Sequence, residues 1–411
     1  MYKGMYTYAW DLNEEGVENV VARYRDCGIN TITLAASYHA GKFLRPHARK
    51  RRVYFPEDGT VYFMPRQERY NAIHPIMNSV LAEHDFLDEL RVTAPDFKRV
   101  AWAVCLHNTE LGKRHPEYTV RNAYGDPYHY NLCPAFEEVQ EYVATLCADM
   151  AELYELDGIA LETPGFLPYD HGFHHEFSLL PLNRWVKWLL GLCFSDASVA
   201  GAAKTGIDMV RLRQQTCDSI DQFFDHAKAV PDEVAFEWWI ADLVMDPEWV
   251  AFLNWRCTVV SDLVARVREA VPKETELAVI PTVQRPTAAS WMEGSDLKRL
   301  AEVADALEVP AYEPSAEAAL IDAWDVRRRV GPDAKLNFIL RPTYPDLVNG
   351  AETVAAAKGL KEAGAAGLAF YNYGHMALSA LDHVRDALAV FDPDGHPDGD
   401  PDGAAQQGES S

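Results

Sequence analysis

The chain has 411 residues, of which 48% are hydrophobic, and it carries a formal net charge of −24 at pH 7. A surface this negative repels nucleic acid and anionic membranes, so we expect neither as a partner. It has no apolar run of about 18 residues, which excludes a membrane-spanning helix, and its first residues lack the apolar core of a signal peptide. From these features we expect an unprocessed, cytoplasmic protein.

Eight short apolar segments have the length and composition of strands that are buried on both faces. In chain order they cover residues 5–10, 30–37, 99–107, 158–163, 277–283, 306–313, 336–341 and 367–373. Amphipathic segments with helical spacing lie between them, at residues 14–25, 136–156, 296–304, 316–330, 353–363 and 377–390. This repeated alternation of strand and helix predicts an α/β fold, a (β/α)8 TIM barrel.

Two connections are much longer than the others. Residues 41–98 contain strand-like runs at 52–55 and 60–63 around Asp58-Gly59, which predicts a β-hairpin insertion after strand 2. Residues 164–274 are mostly helical in pattern and rich in tryptophan, which predicts a long helical insertion after strand 4 and a surface for a homo-oligomer. We expect residues 1–391 to form a single barrel domain and residues 392–411 a disordered acidic tail.

The motifs of several cofactor and catalytic classes are missing. The seven cysteines form no CxxC pair, and the chain has no GxGxxG, P-loop or GxSxG pattern. We therefore expect no cofactor and no metal. His171, His174, His175 and Glu176 offer metal-ligand chemistry, but adjacent histidines cannot share a helix face, and a loop that covers a pocket is the preferred interpretation.

Polar and aromatic residues follow the predicted strands, at the end where parallel barrels carry their reactive groups. If the barrel closes, these residues converge on one pocket. They are Trp10, His39, His107, Asn108, Glu162, Glu293, Tyr312, Glu313, Arg341, Tyr371 and His375.

Glu162 is the most informative of these residues, because it closes the apolar fourth strand just before Pro164. Hydrolysis of a glycosidic bond needs two carboxyl groups, one of which protonates the leaving oxygen. We predict Glu162 and Glu313 as the catalytic pair, with Glu293 and Asp296 as competitors for the second position. The remaining residues of the set, Glu293 included, are predicted to bind substrate, and Trp291 is a further stacking candidate.

Residues 99–162 carry a series of short motifs in a characteristic order. They are Ala101-Trp102-Ala103-Val104, His115-Pro116-Glu117, Arg121-Asn122-Ala123-Tyr124-Gly125, Cys133-Pro134 and Asp157-Gly158-Ile159, followed by Glu162. Over residues 1–165 the chain resembles the glycoside-hydrolase-like barrel families related to the amylase superfamily. The resemblance implies a (β/α)8 fold, action on glycans or glycosides, and a catalytic position for Glu162.

The first hypothesis is therefore a hydrolase that cleaves a small glycoside or oligosaccharide by paired-carboxylate acid/base chemistry, with retention or inversion. A metal-assisted sugar isomerase, epimerase or lyase on the same barrel is the second hypothesis. The third is a carbohydrate-binding barrel without catalysis. In each case the expected partner is a small-molecule carbohydrate.

Overall fold

Eight parallel strands close into a barrel in the computed structural model, which describes residues 1–172, 177–226 and 228–393. They are β1 (Tyr2–Thr7), β2 (Thr31–Tyr38), β3 (Lys98–Val104), β4 (Gly158–Glu162), β5 (Glu276–Val279), β6 (Ala306–Pro310), β7 (Leu336–Leu340) and β8 (Gly367–Phe370). Met5 on β1 lies opposite Ile32 on β2 and opposite Phe370 on β8, so the first and last strands complete the ring. The predicted (β/α)8 barrel is confirmed.

The barrel helices follow their strands in turn. They are α1 (Val17–Asp26), α2 (Phe86–Thr93), α3 (Glu137–Tyr154), α4 (Pro247–Ala270), α5 (Leu297–Val303), α6 (Ala316–Val330), α7 (Gly350–Glu362) and α8 (Ala380–Phe391). In α6, Ala319, Ala323 and Val326 are buried at helical spacing, which is the pattern of a helix with one face on a core. The side chain of Ser315 caps its first turn by accepting a hydrogen bond from the Ala318 N–H.

The predicted strands run past their observed ends. The first was expected to reach residue 10, but β1 ends at Thr7 and a short helix, Ala9–Glu15, begins two residues later. Likewise β6 ends at Pro310 and β8 at Phe370. Several residues beyond these ends, such as Tyr8, Ala311 and Tyr373, are apolar or aromatic and buried, so hydrophobicity alone does not mark the last paired residue.

The connection after β2 contains strand pairs, but the predicted pairing of residues 52–55 with 60–63 is wrong. Phe43–Leu44 pairs with Val53–Tyr54 instead. Thr60–Val61 joins the barrel sheet, antiparallel to the last residues of β2 and parallel to Ile76–Met77. β1 pairs with β2 only as far as Leu34. The final residues of β2 can therefore pair with the run after Asp58-Gly59.

The connection after β4 is helical and has a hydrophobic cluster of its own. Its helices are Arg184–Leu190, Asp196–Ala203, Met209–His226 and Asp232–Met245, and α4 then returns the chain to the barrel. Val186, Leu212, Ile220, Trp239 and Phe252 are among the buried members of the cluster. Among the described residues, none of the helices is both long enough and apolar enough to span a bilayer.

A buried carboxyl group lies inside the barrel, away from its C-terminal end. Glu308 on β6 is 1% exposed and accepts a hydrogen bond from the hydroxyl of Tyr2 on β1. Two strands separate β1 from β6 in the ring, so this contact crosses the interior. Burial raises the pKa of Glu308 to about 7, against the opposing effect of the Tyr2 and Tyr6 hydroxyls.

We expect Glu308→Gln to stabilise the protein at pH 8 but not at pH 4. The pKa of Glu308 is higher in the folded state than its ordinary value of 4.5, so wild-type stability falls as pH rises from about 4.5 through about 7. The neutral amide avoids this loss, which amounts to at most about 3 kcal/mol at pH 8. Urea denaturation at the two pH values measures it, and a stability difference that does not change with pH would contradict the prediction.

Candidate active site

Glu162 is the last residue of β4, at the C-terminal end of the barrel. Its Oε2 accepts a hydrogen bond of 2.5 Å from the indole N–H of Trp102 on β3. Burial raises the pKa of Glu162 to about 7, and the bond from Trp102 opposes the rise. A substantial fraction of Glu162 is therefore protonated at neutral pH, as a general acid requires.

The turn after Glu162 is strained. Thr163 is buried and has φ = 52°, a left-handed conformation that β-branched residues rarely adopt. Two residues on, Gly165 passes so close to the carbonyl of Glu293 that a Cβ would lie 2.3 Å from its oxygen. The same carbonyl accepts a 2.9 Å hydrogen bond from the Phe166 N–H. These contacts fix the loop after β4 against the loop after β5.

Three tyrosine hydroxyls form a chain beside Glu162. The Tyr8 hydroxyl lies 2.9 Å from that of Tyr38 and 3.1 Å from that of Tyr371. These residues follow β1, end β2 and follow β8, respectively. Burial is the main cause that raises the pKa of Tyr38 and of Tyr371, and the negative charge of Glu162 adds to both increases. The hydroxyls are thus neutral donors and acceptors in the vicinity of the acid.

Two arginines bring positive charge to the same end of the barrel. The guanidinium carbon of Arg341, just after β7, lies 4.0 Å from the ring centroid of Tyr312, and that of Arg285 lies 4.9 Å from it. Arg341 also forms a 3.0 Å ion pair with Asp346. The structure therefore gathers the predicted residues Glu162, Tyr312, Arg341 and Tyr371 into one site, which we call the mouth.

The two candidates for the second carboxyl group have different surroundings. Glu293 is 3% exposed, and its Oε1 accepts hydrogen bonds from Thr282 Oγ1 at 2.7 Å and the Val283 N–H at 3.1 Å. Burial raises its pKa to about 7, and the charge of Glu162 contributes to the rise.

Glu313 is partly exposed, and burial also raises its pKa. The charges that act on it belong to Arg285, Asp322 and Asp346. The negative charge of Glu162 thus acts on Glu293 and is not among the charges that act on Glu313. The predicted catalytic role of Glu313 stays a prediction.

The predicted sugar-binding histidines lie against the tyrosine chain, where the His39 ring stacks on that of Tyr38 at 4.4 Å. The His39 ring stacks on that of His107 at 3.9 Å, and His107 contacts His171 edge to face at 4.9 Å. His375 follows β8 and packs its ring 5.5 Å from that of Tyr8. Burial lowers the pKa of His375, so this ring is neutral at pH 7.

Asn108 and Trp10 are engaged in protein contacts. Asn108 caps the helix Thr109–Arg114 by accepting from the Leu111 N–H at 2.9 Å, and it donates to the Gly59 carbonyl at 3.1 Å. Trp10 lies in the helix Ala9–Glu15, is 4% exposed and stacks on Tyr8 at 4.2 Å. This packing leaves little of either side chain for the sugar contacts that the sequence predicts.

Trp102, Tyr8 and Arg285 belong to the site but were not among the predicted site residues. Trp102 pairs in register with Ala160, two residues before Glu162, so its side chain is on the same face of the sheet as the acid. A buried indole N–H needs an acceptor, and this requirement is the signal that could have identified Trp102 from sequence.

The described residues contain no group of three His, Cys, Asp or Glu side chains placed to hold a metal ion. The metal-ligand alternative in the sequence consists of four residues. Of these, the structure describes His171, whose ring contacts that of His107. His174, His175 and Glu176 lie outside the described residues.

No family model and no curated sequence matches this chain. Its structure is similar to the glycoside hydrolase domain of PgaB (BpsB) from Bordetella bronchiseptica, with a TM-score of 0.59 and 14% identity over 95% of this chain and 99% of that one. An α-galactosidase from Lactobacillus brevis gives a TM-score of 0.47 and 14% identity over 95% of this chain and 40% of its own, too low a score for any inference. The similarity to the PgaB domain shows a shared barrel fold and does not confirm the predicted link to the amylase superfamily.

Proposed function

We propose that the protein is a glycoside hydrolase in which Glu162 is the general acid. The observation that carries the proposal is a buried carboxyl group with a pKa of about 7 at the C-terminal end of β4. Catalytic groups of (β/α)8 enzymes lie at this end of the strands. The similarity of the barrel to a glycoside hydrolase domain supports the proposal as a similarity of fold.

In the proposed reaction, protonated Glu162 donates its proton to the oxygen of the scissile glycosidic bond as that bond breaks. The indole N–H of Trp102 then stabilises the carboxylate that remains, because it already donates to Oε2. The hydroxyls of Tyr38 and Tyr371 and the guanidinium of Arg341 bind and orient sugar hydroxyls. A second carboxylate either attacks the sugar carbon or activates a water molecule, which gives retention or inversion.

The second carboxyl group is proposed to be Glu293, with Glu313 as the alternative. Glu162 and Glu293 are both buried, and the negative charge of Glu162 raises the pKa of Glu293. Because an ionised Glu162 disfavours ionisation of Glu293, the two groups are suited to a state in which one is protonated and the other ionised. Glu313 remains accessible at the rim beside Arg285.

Paired amide variants distinguish the two candidates. We expect Glu293→Gln to lower kcat by about 100-fold or more and Glu313→Gln to lower it by less than about tenfold, since general acid–base groups contribute about 10²- to 10⁴-fold. A panel of aryl glycosides and oligosaccharides measures both variants beside the wild type. A large loss in Glu313→Gln with activity kept in Glu293→Gln would reverse the assignment.

The pH dependence of activity gives a second test. We expect kcat/KM to fall as pH rises through about 7, because Glu162 must be protonated to act and its pKa is about 7. The residual activity of Glu162→Gln should lack this alkaline limb. Constant activity from pH 6 to pH 9 in the wild type would contradict the assignment. Saturable sugar binding without turnover would instead support a carbohydrate-binding barrel.

A further inference from the structure

A cavity of about 240 Å³ lies beside the mouth, between the helical insertion and the loop after β5. Three tryptophans and three cations line it: Trp188, Trp239, Trp291, Arg184, Lys187 and Arg256. We call it the tryptophan cavity. Met292, also in its lining, immediately precedes Glu293, so the cavity adjoins the proposed second carboxyl group.

The aromatic wall consists of rings in mutual contact. Trp239 stacks on Trp291 at 6.0 Å with an interplanar angle of 11°, and Trp188 lies 5.3 Å from Trp291. Trp188 and Trp239 are buried, whereas Trp291 is partly exposed. Trp291 therefore offers a ring at the cavity that the other two hold in place, as a platform for a sugar ring requires.

Arg256 is a buried cation with an unused hydrogen-bond donor. It is 2% exposed, and within the described ranges no carboxylate forms an ion pair with it. Its Nη2 donates to the Met292 carbonyl at 2.9 Å, its guanidinium carbon lies 4.5 Å from the Phe166 ring centroid, and its Nε has no partner. The thiols of Cys193, Cys257 and Cys133 and the carboxyl group of Glu293 act on its charge without forming an ion pair, so the guanidinium keeps an unused donor for an anionic group.

Arg184 adds a second guanidinium without a carboxylate. Its guanidinium carbon lies 5.4 Å from the ring centroid of Trp188, and among the described residues it forms no ion pair with a carboxylate. Of the acids in the lining, Asp170 pairs with Lys187 at 3.1 Å, and Oδ1 of Asp232 accepts a hydrogen bond from the Arg184 backbone N–H at 2.9 Å. The chain has 62 acidic but only 38 basic residues. Despite this excess of acids, two guanidiniums in one cavity have no ion pair with a carboxylate among the described residues. By contrast, Arg45 and Arg211 each contact two carboxylates.

We infer that the tryptophan cavity binds a sugar unit that carries a carboxylate, of the uronic acid class. The ring packs against Trp291, and the carboxylate pairs with the guanidiniums of Arg184 and Arg256, for which charge-assisted bidentate bonds are favourable. The choice of a sugar rather than another organic acid rests on the proposed hydrolase function. The cavity would then hold an acidic unit of the substrate next to the bond at the mouth.

Binding of D-glucuronate to the full chain tests this inference, with D-glucose and acetate as probes that lack the charge or the ring. We expect glucuronate to quench tryptophan fluorescence in a saturable way, and glucose and acetate at the same concentration to have little effect. Arg184→Gln should weaken glucuronate binding by about tenfold or more. Arg385→Gln, a surface change on α8 at an exposed ion pair with Asp382, is the matched control and should bind like the wild type.

Arg256→Gln should weaken binding at least as much, and circular dichroism shows whether it folds. If it does not fold, Arg184→Gln alone decides. The inference is overturned if glucuronate does not bind, if glucose or acetate binds as tightly, or if Arg184→Gln binds like the wild type. Glu162→Gln keeps glucuronate binding and loses hydrolysis if both proposals hold. If Glu162→Gln retains hydrolysis, the proposed function is contradicted, whereas the inference that the cavity binds glucuronate is not.

Discussion

Replacing Glu162 with glutamine is expected to reduce glycoside hydrolysis by about 100- to 10,000-fold with little change in folding. The amide has nearly the same shape and can still accept the bond from Trp102, but it has no proton to donate to a leaving oxygen. The loss should be greatest for substrates with poor leaving groups, because these depend most on protonation. Initial rates on aryl glycosides that differ in leaving-group pKa measure the effect.

The matched control for this change is Glu276→Gln. Glu276 begins β5 at the opposite end of the barrel and forms an exposed 2.7 Å ion pair with Lys335. It should keep wild-type rates, because the change removes a carboxylate without altering the mouth. Equal activity in Glu162→Gln and the wild type would eliminate Glu162 as the acid.

Replacing Arg45 with methionine is expected to lower the free energy of unfolding by about 3 to 5 kcal/mol. Arg45 is 2% exposed and lies in the connection after β2, where it pairs with Asp11 at 3.0 Å and with Glu14 at 2.6 Å. Asp11 is fully buried, so methionine would leave its carboxylate without the main cation that lowers its pKa. Urea denaturation monitored by circular dichroism gives the change in free energy.

Arg25→Met is the control for the loss of an arginine ion pair at the surface. Arg25 contacts Asp96 at 2.6 Å, but the two side chains are 45% and 54% exposed. Exposed pairs contribute about 0 to 1 kcal/mol, so this variant should be nearly as stable as the wild type. If the two variants lose similar amounts of unfolding free energy, burial does not increase the contribution of the Arg45 ion pairs to stability.

The barrel was predictable because its signal is repeated eight times. Each strand is a short apolar run and most are followed by a helical pattern, so an error at one boundary leaves the count unchanged. α6 has the predicted bounds because Ser315 caps its start and Gly331, with φ = 88°, follows its end. The pairing of Thr60–Val61 with the end of β2 was not predictable, because it depends on a sheet edge that only the closed barrel defines.

The candidate site was predictable at the ends of strands and less so in the loops. Glu162, Tyr312, Arg341 and Tyr371 end or directly follow strands, so the closure of the barrel alone brings them together. Glu293 lies fourteen residues beyond the end of β5, and its backbone carbonyl meets the loop after β4 at Gly165. Nothing local in the sequence marks such a contact, so the sequence alone favours Glu313, which closely follows a strand.

The protonation state of Glu162 is the property on which the proposed chemistry depends. Infrared difference titration of the wild type against Glu162→Gln isolates the carboxyl signal of this residue. A protonated carboxyl group that titrates with a midpoint of about 7 is the predicted result. A midpoint near the ordinary value of 4.5 would show an ionised carboxylate at neutral pH and would contradict its role as the general acid.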